Sequence, residues 1–159
     1  MVIFLLDADG AIKLAKAGIL ERLAQAAKCL IPKAVYQEIL KGKEGMYEDA
    51  FQIEKLVKRG KIKMIPAPDM KREGLGAGER SVLTALQNQK ADAVISDDTK
   101  FLTHLEKEHI PFLIPTDAIL WLVKRNKISA DKGLEALHQI EPIIRKEAYL
   151  KTRQTLRGE

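Results

Sequence analysis

One cysteine, Cys29, in 159 residues leaves no internal disulfide and no zinc site built from several thiolates, so this thiol is expected to pack as a small apolar group. Long apolar runs are also missing. Residues 2–6 and 119–123 are five-residue stretches, against the roughly 20 that cross a bilayer, so no membrane partner is expected. The opening has no basic leader, and Asp7 ends its apolar stretch after six residues, which argues against a secretory signal and for a cytoplasmic protein. Aromatics make up only 5% of the chain and leave little for base stacking; Trp121, inside an apolar run, is expected in the core. The segment GLGAGERS lacks the Gly-Lys-Ser or Gly-Lys-Thr ending of a P-loop and the third glycine of a dinucleotide fingerprint, so Gly76 and Gly78 are read as shaping a turn. His104, His109 and His138 fall on expected helices or their ends, and no Ser-His-Asp or Cys-His arrangement is present.

What remains is an ordinary globular composition. Hydrophobic residues are 46% and charged residues 31%, with a net charge of +5. The sequence pI near 9.3 permits a polyanionic partner without demanding one. Residues 1–159 read as one domain, with residues 145–159 a basic C-terminal helix or tail. Short apolar runs at 2–6, 29–31, 62–65, 93–96 and 112–114 alternate with longer segments of helical period. That alternation predicts an α/β fold, a three-layer α/β/α sandwich around a central parallel sheet of about five strands. Between the first two strands, Ile12, Ala15, Ile19, Leu23 and Ala26 recur at steps of three or four and are read as one helix face. Later helices are expected over 33–41, 46–59, 79–89, 99–108, 117–126 and 129–140, with loops at 42–45 and 71–78.

In an open parallel sheet, ligands gather beyond the carboxyl ends of the strands, and here those positions are acidic. Asp7 follows the first strand, Asp97 and Asp98 the fourth, and Asp117 the fifth; Glu38 and Glu79 lie on helices able to reach the same edge. Two carboxylates about 4 Å apart repel by roughly 4 kcal/mol at an effective dielectric near 20, so such a cluster needs a counter-charge. No lysine or arginine immediately follows these strands, and a hard divalent cation with oxygen ligands, Mg²⁺ or Mn²⁺, is the natural candidate. Taken singly, each acid is more often a helix cap or a solvated side chain than a functional group, and it is their shared placement at strand ends that points to a site.

The opening VIFLLDADGAIKLAKAGILERL, the segment IPKAVYQEIL, the block LGAGERSVLTAL and the stretch ADAVISDDTKFL resemble, in order and spacing, the PIN-domain nucleases. The ending PTDAILWLVKRNKISADKGLEAL is similar to the closing helices of their prokaryotic members. The resemblance implies a metal-dependent endoribonuclease that cuts single-stranded RNA, leaving 5′-phosphate and 3′-hydroxyl ends. In it Asp7, Glu38, Glu79 and one of Asp97 or Asp98 hold one or two Mg²⁺ or Mn²⁺ ions. Asp98 is favoured as the fourth acid, because in Ser96-Asp97-Asp98 it takes the third place of the family's hydroxyl-any-acid pattern. Asp9 departs from the family, which often has a small hydroxyl residue there. Lys13, Lys124 and Arg125 are candidate contacts to RNA phosphates. Many small prokaryotic members are toxins held by an antitoxin protein over the metal cleft, and many form homodimers, which extends the same expectations to this chain.

Two rival readings differ in kind. FLLDADGA is similar to the opening of the haloacid dehalogenase phosphatases, in which Asp7 would be the nucleophile and Asp9 the general acid. Against it, Ala11 stands where a threonine is usual, and Glu38 and Glu79 are left without a role. The other is a catalytically silent PIN-like protein-binding module, whose sign would be metal binding without turnover.

Overall fold

Five short strands alternate with helices, and the computed structural model describes them over residues 1–42, 48–68 and 70–159. The strands are β1 (Ile3–Leu6), β2 (Lys28–Pro32), β3 (Ile62–Ile65), β4 (Ala93–Ile95) and β5 (Phe112–Leu113), all parallel, in the order β3-β2-β1-β4-β5. β1 lies at the centre, with Leu5 opposite Leu30 on one side and Val94 on the other. After β3 the chain crosses back over β1 to build β4 and β5, so its direction of winding reverses at the carboxyl ends of β1 and β4. In a doubly wound sheet that reversal opens a crevice, because the flanking loops part to opposite sides.

Among the described residues nine α-helices flank the sheet: α1 (Ala8–Lys16), α2 (Leu20–Ala26), α3 (Lys33–Lys41), α4 (Glu48–Lys58), α5 (Ala77–Asn88), α6 (Thr99–Lys107), α7 (Pro115–Lys124), α8 (Ala130–Ile140) and α9 (Lys146–Leu156). The result is the expected three-layer α/β/α sandwich. Its core is aliphatic, with Leu5, Leu6, Leu14, Ile19, Leu23, Leu30, Ile53, Ile95 and Phe101 all essentially inaccessible to solvent. Cys29 is buried among them, and burial pushes its thiol pKa up to about 12, so it packs as an inert apolar group.

The stretch read as a single first helix is two. Gly18 takes φ +75, donates its N–H to Ala15 and lets the Ile19 N–H reach Leu14, the paired bonds of a glycine-terminated helix end. The apolar period runs through this turn because Ile19 buries itself beside the helix it has just left. The helices expected to open at Glu79 and Asp117 each begin two residues earlier. Of the helix expected over 46–59, residues 46 and 47 lie outside the described residues, as do 43–45 of the expected loop. Residues 146–156 form α9, which packs on α7 and α8. No helix among the described residues is long and apolar enough to cross a membrane.

Candidate active site: an acidic cleft at the carboxyl edge of the sheet

Asp7 is the first residue beyond β1 and the N-cap of α1, with extended backbone at φ −93, ψ 175. Its backbone N–H donates to the Ile95 carbonyl at 3.2 Å, tying the end of β1 to β4. One carboxylate oxygen, Oδ1, accepts the Gly10 N–H at 2.7 Å; the other accepts the hydroxyl of Ser96, just past β4. Gly10 is required here because a Cβ would stand 2.4 Å from the Ile95 carbonyl oxygen. The glycine that gave this segment its phosphatase-like look therefore serves helix-to-strand contact. Asp7 is 5% exposed, and its pKa is raised to about 7. Burial is the main cause, opposed by the Ser96 and Gly10 hydrogen bonds and assisted by the charges of Asp9 and Asp98.

Asp98 follows the same pattern one strand away. It caps α6 by accepting the Phe101 N–H at 2.9 Å, and its own N–H donates to Ser96 Oγ at 3.2 Å. The buried Ser96 hydroxyl thus bridges Asp7 and the backbone of Asp98. Glu79, in the first turn of α5, turns back so that Oε2 accepts the Gly76 N–H. Glu38 arrives from the middle of α3, and a Cβ at Gly78 would lie 2.7 Å from its Oε2, so the glycine sets how closely α5 approaches α3. Crowding by protein atoms and the charge of Glu79 raise the Glu38 pKa, and Lys41 works against that rise.

Asp7, Asp9, Glu38, Glu79 and Asp98 line one cavity of about 580 Å³, together with Gln37, Lys41 and the small residues Ala8, Ala34, Gly76, Ala77 and Gly78. Three of these acids are at once helix caps and cavity-lining groups. Capping through one oxygen fixes a carboxylate's direction, so the bland reading of Asp7, Glu79 and Asp98 is here a device for aiming them. The two glycines separate stability from site geometry. Gly10→Ala drives a methyl into backbone and is expected to lower the melting temperature by several degrees. Gly78→Ala meets the end of the flexible Glu38 side chain, with Val35 at ordinary contact distance, so it should displace Glu38 while leaving melting nearly unchanged. Thermal melts of both variants check the contrast.

Other residues singled out in the sequence lie elsewhere. Asp97 is not among the cavity-lining residues; its side chain, 5% exposed, is held by Lys13 Nζ at 2.7 Å and by Arg145 Nη2 at 3.4 Å. Lys13, read as a phosphate contact, is instead a largely buried ion-pair partner that also reaches Asp9 at 3.2 Å. Arg125 stacks 4.2 Å from the ring centroid of Trp121, which itself packs edge-on against Phe4. Lys124 is exposed near the end of α7 and does not line the cavity. Asp117 caps α7 by accepting the Ile114 N–H at 3.0 Å. Lys41 and Gln37 were missed in the sequence, although Ala34, Gln37, Glu38 and Lys41 follow the i, i+3, i+4, i+7 spacing of one helix face.

Among the described residues, no three Asp, Glu, His or Cys side chains converge closely enough to hold a metal ion as they stand. The charges of Asp9 and Asp98 bear on Asp7, and that of Glu79 bears on Glu38. The acidic donors that line the cavity are all hard oxygens, a set that suits Mg²⁺ or Mn²⁺.

The comparison with curated proteins gives no match. The family model of DUF3368, described as a PIN domain, matches residues 3–157, nearly the entire chain.

Proposed function

Since the chain belongs to the PIN-domain family, a nuclease fold, we propose that it is a metal-dependent endoribonuclease hydrolysing phosphodiester bonds of single-stranded RNA at the cleft of Asp7, Glu38, Glu79 and Asp98. One observation carries this reading: four acids separated by up to 91 positions in sequence line the same cavity at the sheet's winding reversal. The family match favours this reading over the haloacid dehalogenase one. In keeping with that, Asp9 sits in the first turn of α1 and is paired with Lys13.

A bound Mg²⁺ or Mn²⁺ would lower the pKa of a coordinated water and polarise the phosphoryl oxygens. Asp7, Glu38, Glu79 and Asp98 are the residues that would hold it. Ser96 keeps the Asp7 carboxylate oriented by donating to Oδ2, and the Gly10 N–H holds Oδ1. The cap bond from Phe101 does the same for Asp98, and that from Gly76 for Glu79. The small residues Ala8, Ala34, Ala77 and Gly78 leave room for a phosphodiester between these acids.

The test is cleavage of a labelled single-stranded RNA with Mn²⁺ or Mg²⁺, beside an EDTA control. Asp98→Asn is expected to lower the rate about 100-fold or more, whereas Asp97→Asn, altering a residue off the cavity, should cost about tenfold or less. Cleavage that survives EDTA, or equal losses in the two variants, would overturn the assignment. Release of inorganic phosphate from a small phosphomonoester would favour the phosphatase chemistry instead.

A further inference from the structure

The cleft poses an electrostatic problem for its own substrate. Five carboxylates line it, so two divalent cations would not neutralise it, and an RNA strand brings a further negative charge with every phosphate. A cation of the protein at the cleft would ease the entry of such a polyanion. Lys13 is held by Asp97 and Lys16 by Asp49, each at 2.7 Å, and neither lines the cavity. Among the described residues, Lys41 is the only basic side chain lining the cavity. It lies one turn beyond Glu38 on the same face of α3, with Gln37 beside it, and its charge reaches the Glu38 carboxylate.

Resting on the reading of this cleft as a ribonuclease site, we infer that the α3 face of Gln37 and Lys41 is the substrate rail, Lys41 binding an RNA phosphate adjacent to the bond that is cut. The ammonium, on a four-carbon stem, can follow a mobile phosphate, and Gln37 supplies an amide able to donate to a phosphate or ribose oxygen. Lys41 is exposed, so removing its charge leaves the fold intact. Its role is to hold the strand; the acids act on the bond.

The experiment measures binding of a fluorescent single-stranded RNA with Ca²⁺ replacing Mg²⁺, over a series of salt concentrations, together with cleavage kinetics in Mg²⁺. Lys41→Met should raise KM about tenfold and reduce the slope of log K against log salt by about 0.7, the value of one phosphate contact on a single strand. Its kcat should stay within about threefold of the wild type. Lys41→Arg should keep the slope, and Lys63→Met, on exposed edge strand β3, should change neither quantity. Unchanged KM and slope in Lys41→Met, with wild-type protein binding and cutting RNA normally, would overturn this inference alone. Wild-type protein that neither binds nor cuts single-stranded RNA would overturn the ribonuclease reading and this inference with it.

Discussion

Asp7→Asn is expected to abolish RNA cleavage, by about 10³-fold or more, and at the same time to raise the melting temperature of the metal-free protein at pH 8. The two effects share one cause. A carboxylate 5% exposed, flanked by the charges of Asp9 and Asp98, has its pKa lifted from 3.8 to about 7. The folded chain therefore prefers the protonated form. The stability this group contributes is complete below about pH 4 and is lost as pH rises through about 7. That interval corresponds to roughly 4 kcal/mol between the two limits. Asparagine never ionises, and its amide oxygen can still accept the Gly10 N–H, so the variant should melt about 8–16 °C above the wild type at pH 8 and within a few degrees of it at pH 4. Saturating Mn²⁺ should narrow that difference at pH 8, because a ligand bound only by the folded state stabilises by about 2.7 kcal/mol at 100 times its Kd, and the variant lacks an oxygen donor of the cleft. Melting curves at the two pH values, with and without Mn²⁺, check the whole scheme. A variant less stable than the wild type at pH 8 without metal would show that the Asp7 charge is already compensated inside the fold.

That an acid can be at once costly to the fold and aimed by it explains which parts of the site were legible in the sequence. Asp7, Glu38 and Asp98 stand out because each follows, or lies on a helix following, a mostly buried apolar strand, whereas Glu79 follows β3, whose two central residues are exposed. Sequence spacing could not separate the cap from the ligand, since Asp7 and Asp98 are caps whose cavity-facing direction depends on capping. The choice between Asp97 and Asp98 turns on the local backbone. Asp98 begins a helix beside the cavity, while Asp97, one residue earlier, points away to Lys13 and Arg145, and Arg145 is 48 positions distant. Long-range pairing of that kind leaves no periodic trace. The break between α1 and α2 was hidden for the opposite reason: Gly18 terminates the helix without interrupting the apolar period, because Ile19 is buried on either description.

Lys13→Met is expected to destabilise the protein by about 3 kcal/mol, lowering the melting temperature by roughly 6–12 °C, and to do so equally at pH 6 and pH 8. Its side chain is 14% exposed and that of Asp97 is 5%, so the variant strands a nearly buried carboxylate. Arg145 cannot take over, being 52% exposed and 3.4 Å away, and an ion pair of that kind contributes about 1 kcal/mol or less. Burial pulls the Lys13 pKa down, but the hydrogen bond to Asp97 and the charges of Asp9 and Asp97 outweigh it and raise the value above 10.5. A raised lysine pKa contributes stability that is fully present below the unfolded value and lost only above it, hence the flat dependence between pH 6 and pH 8. Combining Lys13→Met with Asp97→Leu removes the stranded charge along with its partner and should recover most of the lost stability. A phosphate-binding role for Lys13 makes the contrary prediction of unchanged melting and a shallower salt dependence of RNA binding. Thermal denaturation of the single and double variants, read beside RNA binding at two salt concentrations, separates a lysine that holds the Ser96-Asp97-Asp98 turn in place from one that holds the substrate.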